Sequence, residues 1–306
     1  MTISRREFFR NLGIAAGAAA ILDSVAFADE AVWPYAPSKT AKVVVAGGTK
    51  YKNMLTRAFD EFGGLSKYIK SGDSVLVKPN IGWDRAPEYA ANTNPLVVAA
   101  LVELCLAADA GEVKVYDHTC VNCKRSYSSS GIADAARDAG ADVSYVDTAL
   151  AKNLDLPNGV AVKKAKIYAE ALKADVFINV PIAKDHSLAG LTLGIKNLMG
   201  LILEDRGRWH QNLSKKLVDL AEVLTPTLTV IDATRILTSN GPTGGKAEYV
   251  KRLDKIIVAK DVTAADAYAA TLFGMEPEEL GVVKEAGRRG FGTADLERMD
   301  VTTFSA

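Results

Sequence analysis

Short runs of β-branched and aliphatic residues alternate along the chain with segments whose apolar positions recur at helical spacing. The runs Lys42–Ala46, Ser74–Lys78, Val113–Tyr116, Val143–Val146, Val176–Val180, Leu228–Ile231 and Ile256–Ala259 predict strands. Several are continuously apolar, as expected of strands covered on both faces. Between them, Met54–Phe62, Leu96–Ala108, Ile132–Ala139, Ser214–Leu224 and Thr263–Phe273 predict helices. Asn94-Pro95 supplies a cap and a first-turn proline for the second helix, and Gly140 a stop for the third. This alternation predicts an α/β fold, a largely parallel sheet flanked by helices, in a single domain with an elaborated second half.

The first residues break the pattern. Ser4-Arg5-Arg6-Glu7-Phe8-Phe9-Arg10 leads into the mildly apolar run Leu12–Leu22, and Ala26-Phe27-Ala28 precedes Asp29 and Glu30. That order reads as a twin-arginine export signal over residues 1–28 with an A-x-A cleavage site. The alternative, an uncut membrane helix, needs a longer apolar run than this Ala- and Gly-rich one. Residues 29–41 then form an extended lead-in, and residues 42–306 the α/β domain. The expected location is periplasmic or extracellular, with the twin-arginine translocase a transient partner. Because that route carries folded cargo, a cofactor acquired before export is consistent with it.

Polar residues cluster where the strands end. In an open parallel sheet, ligands bind in the crevice beyond the carboxyl ends of the strands. Lys78 ends the second strand and Asn80 follows it, Asp117 and His118 follow the third, Lys184 and His186 the fifth and Asp232 the sixth, while the seventh runs into Lys260-Asp261. Lys196 and Asn197 interrupt an apolar run, where an unpaired ammonium would be costly unless it faced a polar cavity or reached the surface. Arg206, Trp209 and His210 fall in a polar loop that either closes over a ligand or is an ordinary surface loop. Lys124 and Arg125, ahead of a helix start, form either an anion receptor or a solvated basic pair.

His118-x-Cys120-x-x-Cys123 is the most pointed stretch chemically. Its imidazole and thiols suit an open metal site, a disulfide or redox pair, or none of these. Cys105 lies in a helical apolar stripe and reads as a core residue. Three cysteines exclude a complete four-thiolate ferredoxin set within the chain. Asn240-Gly241-Pro242-Thr243-Gly244-Gly245-Lys246 fails as a phosphate loop, because Ala247 stands where Ser or Thr would bind magnesium; a lid or a backbone anion nest remains.

Charge adds an exclusion. Lys plus Arg and Asp plus Glu number 37 each, so no cationic excess favours nucleic acid. The leader holds Arg5, Arg6 and Arg10 against Glu7 and Asp23, so the remaining chain stays near neutral.

Ten ordered stretches then carry a resemblance: VLVKPN (75–80), TNP (93–95), YDHTC (116–120), SSGI (129–132), INVPIAKDH (178–186), GIKNLMG (194–200), RWH (208–210), IDATR (231–235), NGPTGG (240–245) and DAYAATLFG (266–274). Over about residues 42–303 the sequence resembles the domain of unknown function 362 family, in a twin-arginine-exported form. The resemblance implies a shared pocket using Lys78, Asn80, Asp117, Lys184, Lys196, Asn197 and Asp232, and no known reaction. Members are described as iron–sulfur cluster-binding largely through an appended cysteine motif that this chain lacks.

Two function classes follow. One is a cofactor- or metal-dependent enzyme, redox or acid–base, acting on a small anionic molecule in the strand-end crevice. In it Asp117, His118 and His186 are the catalytic candidates, Lys78, Asn80, Lys124, Arg125, Lys184, Lys196, Asn197 and Asp232 bind the anion, and His118, Cys120 and Cys123 hold a metal or form a redox centre. The other is a non-catalytic metal- or cofactor-binding accessory protein with a redox partner protein. The sequence leaves the cofactor open between none, a metal ion and an iron–sulfur cluster.

Overall fold

Alternate residues of the same strand enter two different cores, and this builds the architecture. Val43 and Val45, Leu76, Phe177, Ile231 and Ile257 face one core, while Val44 and Ala46, Val75 and Val77, Ile178, Val230, Ile256 and Val258 face the other. A sheet buried on both faces needs no polar alternation, which explains the continuous apolar runs. The computed structural model describes residues 40–306. The expected leader and the lead-in up to residue 39 lie outside the described residues.

In chain order, β1 (Ala41–Gly47), α1 (Tyr51–Asp60), β2 (Ser74–Pro79), α2 (Pro95–Ala107) and β3 (Glu112–Val115) open the fold. Two short helices follow, α3 (Cys123–Ser129) and α4 (Ile132–Asp138), then β4 (Asp142–Val143). The hairpin β5 (Ala151–Asp155) and β6 (Lys164–Tyr168) forms a separate two-stranded sheet. Next come β7 (Val176–Val180), β8 (Ile182–His186), β9 (Gly190–Thr192), α5 (Gly194–Asn197), α6 (Arg206–Trp209) and α7 (Leu213–Val223). The chain closes with β10 (Leu228–Leu237), β11 (Val250–Ala259), α8 (Val262–Ala270), α9 (Gly281–Arg288) and β12 (Met299–Ser305).

The large sheet runs β12-β1-β11-β10-β7-β2-β3-β4, with β8 beside β10 and β9 beside β8. From β10 to β4 every pairing is parallel. Side chains of α1, α2 and α4 fill one core, and those of α7, α8 and α9 the other. The expected caps form: Asn94 Oδ1 accepts from Leu96 N at 3.1 Å, and Gly140 stops α4 with φ +100°.

Three expectations need correction. The strand Ile256–Ala259 is not parallel to its neighbours, since β11 pairs antiparallel with both β10 and β1. Lys260-Asp261 therefore lies at the opposite end of the sheet, where Asp261 caps α8 by accepting from Thr263 N and Ala264 N. Residues 232–235, expected beyond a strand end, sit inside β10. Residues 182–186 are themselves a strand, paired parallel with β10 and antiparallel with β9.

Candidate functional site

Parallel strands deliver Lys78, Asn80, Asp117 and Asn179 to one edge, and β8 brings Lys184 there beside them. At the end of β2, Lys78 is wholly buried and its Nζ lies 2.8 Å from Asp117 Oδ1. The other Asp117 oxygen accepts from Ile81 N at 2.7 Å. The Tyr127 hydroxyl brackets the Asp117 backbone, accepting from its N at 2.7 Å and donating to its O at 2.9 Å. With both oxygens engaged, Asp117 anchors an ion pair rather than standing free as an acid or base. Burial still holds the Lys78 proton affinity below the ordinary range, against the pull of Asp117.

Beside this pair runs a directional chain of amides. Lys184 Nζ donates to Asn80 Oδ1 at 3.0 Å, Asn80 Nδ2 to Asn197 Oδ1 at 3.0 Å, Asn197 Nδ2 to Asn179 Oδ1 at 2.9 Å, and Asn179 Nδ2 to Gly194 O at 2.8 Å. Each donor is fixed by the acceptor before it, so no amide can flip alone. The second Lys184 bond goes to Ala91 O. Two acceptors need only two N–H groups, which a neutral amine still has. Burial pushes Lys184 down to about 7, leaving the third hydrogen position for a ligand.

Lys196 and Asn197 ride on α5, a single turn held from behind. Asp266 of α8 accepts from Gly194 N at 2.6 Å and Ile195 N at 2.9 Å. Gly194 is required there, since a Cβ would lie 2.8 Å from Asp266 Oδ1. Lys196 is partly buried, touches Met199 Sδ at 3.2 Å, and is pushed down by burial to about 8. Arg206 on α6 donates to the carbonyls of His118 and Thr119, tying this segment to the loop after β3. Lys78, Lys184, Lys196 and Arg206 thus gather around one carboxylate, close enough that Lys78 and Arg206 each weaken proton binding by Lys196. Among the described residues, Asp117 is the carboxylate that pairs with this group, so the edge carries a surplus of positive charge.

The remaining predicted residues fall elsewhere or take other roles. Asp232 does not line the crevice with a free carboxylate: Oδ2 accepts from Asn94 N at 2.7 Å, and Oδ1 from Thr234 N at 3.0 Å and Thr234 Oγ1 at 2.7 Å. It ties β10 to the start of α2. His186 Nδ1 accepts from Leu188 N at 3.1 Å and Ala189 N at 3.3 Å, and burial with nearby lysines pushes its proton affinity down to about 3. That fixes a neutral Nε2–H tautomer, able to donate but not to take up a proton near neutrality. His118 Nδ1 lies 2.7 Å from Ile202 O, and burial followed by Arg206 lowers its pKa. Lys124 and Arg125 are exposed inside α3, and Arg125 pairs with Asp84 at 3.2 Å, so they do not join the cluster.

Cys120 and Cys123 are exposed free cysteines, and Cys105 is buried, with burial raising its thiol to about 12. Among the described residues no three His, Cys, Asp or Glu side chains are grouped to hold a metal ion. His118, Cys120 and Cys123 are therefore not drawn together as a metal-ligand set in this structure. The Cys120 thiol is nonetheless within Coulomb reach of Lys78, Lys184 and Lys196.

Gly200 was not legible as a site residue. A Cβ there would lie 1.9 Å from Asp117 Oδ1 and 2.7 Å from Lys78 Nζ, so the ion pair fills the space a side chain would take. Its place at the end of the GIKNLMG stretch was the available signal. Asp266, 72 residues from the turn it holds, had a signal of the same kind, its place at the head of the DAYAATLFG stretch.

A family model described as a domain of unknown function, DUF362, matches residues 75–271. A thylakoid-associated protein of Synechocystis sp. is 26% identical over 262 residues, covering 79% of this chain and 76% of that protein. The lactate racemase apoprotein of Thermoanaerobacterium thermosaccharolyticum superposes with a TM-score of 0.46 at 10% identity. That match covers 80% of this chain, which spans only 59% of the racemase.

Proposed function

Given that the chain belongs to the DUF362 family, we propose that its strand-end crevice binds a small anionic substrate and performs acid–base chemistry on it. The observation that carries this reading is the convergence of Lys78, Lys184, Lys196 and Arg206 around the Asp117 carboxylate. Lys184 is the proposed proton-transfer group, because its amine changes charge near neutrality while both acceptors stay satisfied. Lys196 and Arg206 supply positive charge to the anion, and the Lys78–Asp117 pair with the amide chain holds the frame. The metal-dependent form of the reading has no ligand set among the described residues. Export by the twin-arginine route belongs to the same proposal and rests on Ser4–Arg10 and Ala26–Ala28. N-terminal sequencing of the mature protein should begin at Asp29; an unprocessed Met1 terminus would refute it.

Sulfate, whose charge is constant across neutral pH, is the probe. Its affinity should be highest below about pH 7 and fall through pH 7–8 as Lys184 and then Lys196 lose their protons. Calorimetry at pH 8 in buffers of different ionisation enthalpy should show proton uptake on binding, and Lys184→Ala should remove most of it. Lys196→Ala should weaken binding on the order of tenfold. Sulfate binding without proton uptake at pH 8 would remove Lys184 as the titrating group. Stability moves the other way. The unfolded lysine holds its proton up to an ordinary 10.5 and the folded one only to about 7, so this group adds stability as pH rises between those values.

A further inference from the structure

Arg235 carries a donor edge that no group among the described residues uses. Its Nη1 donates to Pro87 O, while Nε and Nη2 are sealed from solvent and make no hydrogen bond. Those two nitrogens share one edge of the guanidinium plane, so their N–H bonds form the parallel fork that grips two oxygens of a carboxylate or phosphate. A guanidinium stays charged at any physiological pH, so leaving two of its donors buried and unpaired is costly. Asp232 is the acid that feels Arg235 electrostatically, but its oxygens are taken by Asn94 and Thr234.

The surroundings suit an oxyanion. The segment Asn240–Lys246 packs against sequence neighbours of Arg235 and of its partner Pro87: a Cβ on Gly244 would lie 2.9 Å from Leu237 Cδ1 and 3.3 Å from Tyr89 O. A Cβ on Gly245 would lie 3.7 Å from Arg85 Nε, so a second guanidinium faces this loop. Asn240, Gly244 and Gly245 have φ of 56°, 55° and 120°, the left-handed region where glycine is favoured. The base of the loop is pinned by Gly241 N donating to Asp185 Oδ2 at 2.7 Å.

We propose that Arg235, with Arg85 and the glycine-rich loop 240–245, forms a second oxyanion subsite, separate from the lysine crevice, that takes a carboxylate or phosphate group side-on. The loop lifts about its Asp185 anchor to admit the ligand, since the fork is closed to solvent in the resting fold. The subsite does not depend on the reading of the lysine cluster.

Crystals of the protein soaked in tungstate, an oxyanion visible by anomalous scattering, test it directly. The expected result is a peak within hydrogen-bond distance of Arg235 Nε and Nη2. Arg235→Lys keeps the charge and loses the fork, so it should lose this peak while any peak at Lys184 and Lys196 persists. Phosphate or acetate should displace the tungstate, and the one acting at lower concentration identifies the group as phosphate or carboxylate. No peak at saturating tungstate in the wild-type protein, or an undiminished peak in Arg235→Lys, would overturn the proposal. The wild-type soak decides the matter even if the variant does not fold. A peak at Arg235 with none at the lysines would sink the crevice reading and leave this one standing.

Discussion

Gly200→Ala is expected to destabilise the protein by about 3–5 kcal/mol and to abolish sulfate binding, through the addition of one methyl group. The methyl would land 1.9 Å from Asp117 Oδ1 and 2.7 Å from Lys78 Nζ, inside contact distance of both charges. Neither partner has room to yield, since Lys78 is 0% and Asp117 3% exposed. Separating them strands two opposite charges in a dry interior, which costs far more than an imperfect hydrophobic contact. Gly200 cannot retreat easily either, because its carbonyl accepts from His118 N at 3.0 Å. Gly207→Ala is the control: its methyl meets the exposed Asp205 carboxylate at 3.0 Å and should cost about 1 kcal/mol or less. Urea unfolding of both variants gives the comparison. Equal costs would mean that the ion pair tolerates the intrusion.

Asp219→Ala should cost about 2–4 kcal/mol, with no direct effect on the crevice. Asp219 lies on α7, fully buried, and accepts from three consecutive backbone amides: Val160 and Ala161 at 2.7 Å and Val162 at 2.8 Å. It also pairs with Arg289. Alanine would leave the three N–H groups without their acceptor and shift Arg289 onto Glu285 and Glu222, which lie 2.7 and 3.7 Å away. The affected loop is half open to water, and this keeps the cost below that of a fully buried loss. Hydrogen exchange at residues 160–162 should accelerate along with the drop in unfolding free energy. A loss under about 1 kcal/mol, with exchange unchanged, would show that water replaces the carboxylate at no cost.

These two residues also mark the limits of local reading. Gly200 looks like any helix-ending glycine, and Asp219 like a polar residue on an amphipathic helix. What makes each critical is a group far away in sequence. The crevice behaves the same way. Lys78 and Asn80 were legible because a parallel sheet collects its carboxyl ends at one edge, Lys196 and Asn197 because they interrupt an apolar run, and with Lys184 of β8 they meet there. His186 and Asp232 were equally visible as polar residues at the right place. Their hydrogen bonds put them in other roles, His186 held neutral and Asp232 tying β10 to Asn94.

By itself, the sequence determined the periodic part of the protein: apolar runs that must be covered on both faces, helices with Asn and Gly at their ends, and hence a layered α/β fold. Those properties depend on residues within a few positions of one another. Only the tertiary structure decided the direction of β11, which sends Lys260-Asp261 to the far end, and the pairing of the polar groups. Lys78 meets Asp117 across 39 residues, Lys184 meets Asn80 across 104 and Asn80 meets Asn197 across 117. Strand direction and buried hydrogen bonds are set by which distant segments pack together, and burial then sets the charge a lysine or histidine carries.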